Sequence, residues 1–243
     1  MKMSVPILKI FNTPEETARG FALFLTEDIA ASEGIYTIAL SGGSTPKILF
    51  RILAEEFSHK IDWQKVHFYW GDDRMVPAAN PESNFGEAKR LLFDSVSVPE
   101  NNIHAINGIK PVLEEAQKYS AELMKFLPQS NGLPRFSMML LGMGDDGHTA
   151  SIFPNQMYLL NSEKICEPAK HPESGQARVT MTGRVINNSE KIIFLVTGKN
   201  KSAKISEIIN KKGNFLNYPS ANISPTNGEL YWFMDSDAAG EID

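Results

Sequence analysis

The chain has 243 residues, 42% hydrophobic and 22% charged, and its 24 basic and 29 acidic side chains leave a net charge of −5. That balance argues against a broad nucleic-acid or membrane-binding surface, and no apolar run approaches the roughly 18 residues needed to span a bilayer. Cys166 is the single cysteine, so an intrachain disulfide and a cysteine metal cluster are both excluded.

Taken in chain order, the first helix opens at Thr13-Pro-Glu-Glu16, where Thr13 can cap, Pro14 suits the first turn and Glu16 can complete a capping box. Ala18, Phe21, Ala22, Leu25 and Ile29 then share one helical face. The apolar run IYTIAL follows, then SGGSTP and the amphipathic KILFRILAEEF, a strand, glycine turn and helix starting near Pro46. VHFYW leads into GDDRMVP and the helical NFGEAKRLLF. NIHAI is short and extended, PVLEEAQKYSAELMKF helical, and FSMMLL a buried strand ending in GMGDDGHTASIFP. KICEPA reads as an extended segment around a half-buried thiol rather than a nucleophile. ARVTMT and KIIFLVTG are further strands, NKSAKISEIINKK is a helix, and ELYWFMD a last strand. Continuous apolar strands alternating with amphipathic helices predict an α/β fold, a mostly parallel sheet with helices on both faces. No linker or repeat divides the chain, so a single domain over residues 1–243 is expected. MKMSVPILKIFNTPEE holds no apolar stretch of signal-peptide length, and a cytoplasmic protein is expected.

Ligands of open parallel sheets bind beyond the carboxyl ends of the strands. Four strand ends carry unusual residues: Ser41–Pro46, Gly71–Pro77, Gly142–Pro154 and Gly198–Lys201. In the first, Gly42 and Gly43 precede a helix N-terminus, whose N–H groups suit a phosphate, and Ser44 and Thr45 add hydroxyls; a plain tight turn capped by Thr45 would use the same residues. The Walker lysine is missing, which excludes a triphosphate loop of that kind. GMGDDG matches the dinucleotide fingerprint formally, but it lies past the middle of the chain and would set Asp145 and Asp146 where a pyrophosphate should lie. It reads better as an acid–base site. His148, at or near a helix start and two residues after Asp146, has the residue type that activates water near neutral pH. His59, His67, His104 and His171 read as structural or surface residues. Arg74, in WGDDR, suits a phosphate or an oxyanion; Arg178 and Lys201 are further cationic candidates. No H-x-H, H-E-x-x-H or cysteine pair supports a metal, and no G-x-S-x-G elbow supports a serine triad.

ALSGGSTP, WGDDR with the following SNFGEAKRLL, LLGMGDDGHTASIFP and FLVTGKNK resemble the 6-phosphogluconolactonases in order and spacing, from about Leu40 to Trp232. The resemblance implies a modified Rossmann-like fold shared with glucosamine-6-phosphate deaminases, and hydrolysis of a six-membered sugar-phosphate lactone with no metal or organic cofactor. It makes His148 the base that deprotonates water and Asp146 the group that orients it. It gives the phosphate to Gly42, Gly43, Ser44, Thr45 and Lys201, and sets Arg74 and Arg178 near substrate without fixing which end each contacts. The implied partner is a small sugar phosphate, with neither nucleic acid nor membrane, bound by a monomer or weak homo-oligomer. Asp73 stands where the family usually has Glu, and Ile152 where it has Leu. Two rival readings remain. A deaminase of the same fold could use Asp72 as its ring-carbon base, but carries a glutamate where this chain has Phe153. A sugar-phosphate sensor would need an attached DNA-reading module.

Overall fold

Parallel pairing sets the frame. The computed structural model describes residues 5–240 and 242, and its elements begin with β1 (Ile7–Phe11), α1 (Pro14–Ala31), β2 (Tyr36–Leu40), α2 (Ser44–Glu56), β3 (Val66–Trp70), β4 (Asp72–Arg74), α3 (Asn84–Ala88) and α4 (Val112–Phe126). A small hairpin of β5 (Gln129–Ser130) and β6 (Leu133–Pro134) precedes β7 (Met138–Leu141), β8 (Cys166–Lys170), β9 (Ala177–Met181) and α5 (Gly183–Ile186). The chain continues with β10 (Lys191–Val196), α6 (Ser202–Asn210), β11 (Glu229–Asp235) and α7 (Ser236–Ala239). Six strands form one sheet in the order β1-β11-β10-β7-β2-β3, and every pair in it is parallel.

The burial explains the sequence pattern. All five residues of β2 and all four of β7 are buried, as expected where helices cover both faces of a sheet. The first helix buries the predicted face of Ala18, Phe21, Ala22, Leu25 and Ile29. Thr13 caps it by accepting from Glu16 N at 3.1 Å, a contact of the kind that contributes about 0.5–2 kcal/mol. Only half of the capping box forms, since Glu16 reaches back to Asn12 N at 3.1 Å rather than to the cap residue itself.

Several expectations need correcting. ARVTMT is a strand, but β9 leaves the parallel sheet and pairs antiparallel with β4 and β8 in a second, three-stranded sheet. NIHAI makes only a single bridge, Ile103 to Phe68. Strand β1 is an addition to the predicted elements: ILKIF lies half-exposed at the sheet edge, so its apolar residues neither alternate nor run continuously. The α3 helix passes into a π-helical turn at Lys89–Phe93. Cys166 is fully buried, and burial pushes its thiol up to about 12, which removes it as a nucleophile. Among the described residues, no helix is long and apolar enough to cross a membrane.

The topology chooses the place for a ligand. From β2 the chain steps outward to β3, then returns to β7 on the other side of β2 and moves on to β10 and β11. The order therefore reverses between β2 and β7, and the crevice beyond their carboxyl ends is where such sheets bind ligands.

Candidate active site

At that crevice a pocket is lined by residues from all four strand ends singled out in the sequence. Gly42 and Gly43 come from the β2–α2 turn, Ser44 and Thr45 from the first turn of α2, Asp72 and Arg74 from β4, Gly142 and His148 from the loop after β7, and Lys201 from the turn after β10. Arg178 joins them from β9.

The helix α2 begins at Ser44, two residues before Pro46, with Gly43 as its N-cap at φ 119° and ψ 179°. That conformation belongs essentially to glycine. Among the described residues no side chain caps the helix, so the first N–H groups of α2 present themselves at the pocket. Thr45 does not cap either; its hydroxyl bonds that of Thr197 at 2.8 Å and ties α2 to the end of β10. Beyond Thr197, the carboxylate of Asp235 accepts from Gly198 N at 3.0 Å and fixes the turn that carries Lys201.

The loop after β7 opens no helix, which disposes of the dinucleotide fingerprint. His148 likewise stands outside any helix, in a correction to its expected place; the next helical segment starts at Pro154. Its position comes from the loop itself. Gly144 N donates to His148 O at 2.9 Å and Gly147 N to Gly144 O at 3.0 Å. A Cβ on Gly144 would lie 2.1 Å from His148 Nδ1, so only glycine lets the imidazole pack there. His148 Nδ1 bonds Asp146 Oδ1 at 2.6 Å. A carboxylate only accepts, so in the neutral ring Nδ1 carries the proton and Nε2 keeps its lone pair. Burial alone would raise the Asp146 carboxyl, but the hydrogen bond and charge of His148 outweigh it and hold the group below the usual range. Phe153, fully buried, lies against the imidazole with ring centroids 4.6 Å apart. Ala150, two residues after His148 and also lining the pocket, holds a left-handed φ of 47°.

Opposite strands bring two cations together. Arg74 of β4 and Arg178 of β9 are register partners, and like charges so placed repel unless an anion answers them. Each has a buried Nε with no hydrogen-bond partner among the described residues. Arg178 is 8% exposed; burial lowers its pKa, while Asp72 pulls the other way. Its guanidinium lies over the Phe153 ring at 5.5 Å, so one aromatic side chain touches both His148 and Arg178.

Two residues that the sequence left unassigned acquire roles. Asp73 does not face the pocket. Its carboxylate accepts from Asn84 N at 2.8 Å, Phe85 N at 3.0 Å and Arg74 N at 2.7 Å, pinning the start of α3. Burial, only partly offset by those bonds, pushes its carboxyl up to about 6. Replacing Asp73 with alanine leaves these donors unpaired, and a loss of at least about 1–3 kcal/mol is expected in urea denaturation. Ser151 donates to Asp72 Oδ2 at 2.6 Å and thereby holds that buried carboxylate at the pocket wall. Ser151 lies inside the GHTASIFP block, but a serine in an unformed loop gives no sign of its partner. Of the other histidines, His171 meets the Phe153 ring edge-on with centroids 5.3 Å apart, while His104 bridges His67 at 3.1 Å and Glu122 at 2.9 Å beside β3.

Comparison with known proteins shows the family of the chain. Residues 12–232 match the family model described as glucosamine-6-phosphate isomerases/6-phosphogluconolactonase. A 6-phosphogluconolactonase of Haemophilus influenzae is 45% identical over 202 residues, covering 83% of this chain and 85% of its own. One from a Nostoc species is 38% identical over 250 residues, covering 100% of this chain and 99% of its own. The solved 6-phosphogluconolactonase of Trypanosoma brucei superposes with a TM-score of 0.87 at 26% identity, covering 100% of both chains.

Proposed function

The chain belongs to the glucosamine-6-phosphate isomerase/6-phosphogluconolactonase family, and on that premise we propose that its pocket works as a water-activating site with a phosphate anchor at one end. The reaction is the hydrolysis of 6-phospho-D-glucono-1,5-lactone to 6-phospho-D-gluconate, a step of the oxidative pentose phosphate pathway. The observation that carries the mechanistic reading is the 2.6 Å bond from Asp146 to His148, whose imidazole lines the pocket that also receives the N-terminus of α2 and Lys201.

The steps balance without a covalent intermediate. A δ-lactone is an activated ester, so water suffices as nucleophile. His148 Nε2 takes a proton as the water oxygen attacks the ring carbonyl, and the imidazolium is stabilised by Asp146. The carbonyl oxygen becomes an alkoxide, next to which Arg178 is the donor we assign, because Phe153 packs it close to His148. Collapse of the tetrahedral species breaks the ring C–O bond, and the imidazolium returns its proton to the departing sugar hydroxyl. The new carboxylic acid then ionises. Gly42, Gly43, Ser44, Thr45 and Lys201 hold the phosphate, and Arg74 extends the cationic wall between the two ends. Holding the phosphate supplies orientation, while the base contributes about 10²–10⁴-fold.

The aminosugar-phosphate deaminase reading requires a proton relay at position 153. Phe153 offers an apolar ring instead, and it packs on His148. The remaining features of the reading are a single domain over residues 1–243, a cytoplasmic location, and a monomer or weak homo-oligomer that acts on a free sugar phosphate without nucleic acid or membrane.

The test is a direct assay. Lactone generated in situ is followed against its spontaneous ring opening, with glucosamine 6-phosphate assayed in parallel for ammonia. Acceleration of the lactone alone is expected; background decay of the lactone together with ammonia release would overturn the assignment.

A further inference from the structure

Two adjacent carboxylates in the loop after β7 turn in different directions. Asp146 goes inward to His148. Asp145 goes outward, where its Oδ1 pairs with Lys201 Nζ and also accepts from Asn200 Nδ2 at 2.8 Å. Lys201 is the pocket's lysine and its side chain is 16% exposed, whereas that of Asp145 is 72% exposed and stands outside the pocket lining. We propose that Asp145 is a resident counter-ion that competes with the substrate's phosphate for Lys201, and so sets how tightly this site holds phosphorylated ligands. The inference rests on the reading of Lys201 as a phosphate ligand.

Electrostatics gives the contest its direction. The hydrogen bond and charge of Lys201 hold the Asp145 carboxyl below the usual range, so it faces the lysine as a carboxylate at neutral pH. A bound sugar phosphate brings about 1.5–2 negative charges against one, and it also engages the N–H groups of α2, whereas Asp145 bonds Asn200 and Lys201. The phosphate therefore wins. An unphosphorylated sugar offers nothing in exchange for the pair and leaves it closed. Because Asp145 is exposed, it can turn into water at a small cost, as exposed ion pairs generally can.

The catalytic loop does not depend on this pair. Its backbone is held by Gly144 N to His148 O, by Thr149 Oγ1 to Gly142 O at 2.9 Å, and by Ser220 Oγ to Gly147 O at 2.9 Å. Removing the charge of Asp145 should then alter the contest for Lys201 and spare the geometry of His148.

The experiment measures inorganic phosphate binding by calorimetry on the full chain, with lactone kinetics alongside. In Asp145→Asn, phosphate is expected to bind about two- to fivefold more tightly, the range of an exposed ion pair, with the change in kinetics falling on KM. In Lys201→Ala, phosphate should bind more weakly and KM should rise about tenfold, near the lower bound for a charge-assisted hydrogen bond. Adding Asp145→Asn to Lys201→Ala should bring no gain. If Lys201→Ala weakens phosphate but Asp145→Asn does not tighten it, the counter-ion role is wrong and the phosphate site stands. A gain of equal size in the Lys201→Ala background would also overturn the inference, because it would mark a long-range charge effect rather than competition for the ammonium. If Lys201→Ala leaves phosphate binding unchanged, the phosphate reading itself fails, and this one with it.

Discussion

His148→Ala is expected to lower kcat by about 10²–10⁴-fold, the usual contribution of a positioned general base, while KM stays within a few-fold of its original value. The asymmetry follows from where the imidazole acts. Its Nδ1 is committed to Asp146 at 2.6 Å, and only the opposite nitrogen is left to serve a water molecule. That contact strengthens as the water loses its proton, so it belongs to the transition state, and its loss falls on kcat and kcat/KM together. The phosphate anchor at α2 and Lys201 does not include His148, so binding should survive. Initial rates, corrected for the spontaneous ring opening of the lactone, check both halves. Turnover within tenfold of the original would remove His148 from the mechanism. A large rise in KM would instead mean that the ring shapes the pocket by packing on Phe153, with which it is in contact at 4.6 Å.

Much of this site is legible in the sequence because its residues sit where chain order and strand ends coincide. SGGSTP, WGDDR, the GMGDDGH turn and TGKNK each follow a strand, and a parallel sheet must bring such ends to one edge. What the sequence does not supply is lateral: which residue touches which across elements. Arg74 and Arg178 are register partners only because β9 abandons the parallel sheet for β4, and no local pattern in ARVTMT distinguishes an antiparallel strand from a parallel one. The helix start expected at His148 fails for a related reason. Glycine and aspartate favour both helix caps and free turns, and here the turn closes on itself through Gly144 and His148 before any helix begins. Asp73 is unreadable because its value lies in three backbone N–H groups, and two of them are supplied by residues eleven and twelve positions away. Edge strand β1 escapes notice because a half-exposed strand carries no periodic signal.

Gly43→Ala tests the other end of the pocket, and its effect should fall on KM. With φ 119° and ψ 179°, Gly43 occupies a region that costs a residue with a side chain about 1–3 kcal/mol. Crowding is not the cause, because a Cβ there would meet only Pro46 Cδ, at 3.9 Å. The strain lies in the backbone itself. The chain can relieve it only by rotating the peptide that leads into α2, and that rotation carries the first N–H groups of the helix away from the phosphate. A rise in KM of roughly five- to a hundredfold is expected, since each 1.4 kcal/mol is tenfold in affinity, with kcat much less affected. Gly34→Ala serves as the comparison: Gly34 also has a positive φ of 73°, a Cβ on it would meet nothing within 4 Å, and it stands in the turn between α1 and β2. That substitution should reduce thermal stability while leaving KM alone. If Gly43→Ala behaves in the same way, with stability lowered and KM untouched, the N-terminus of α2 is merely a tight turn and the phosphate must be held by the arginines instead.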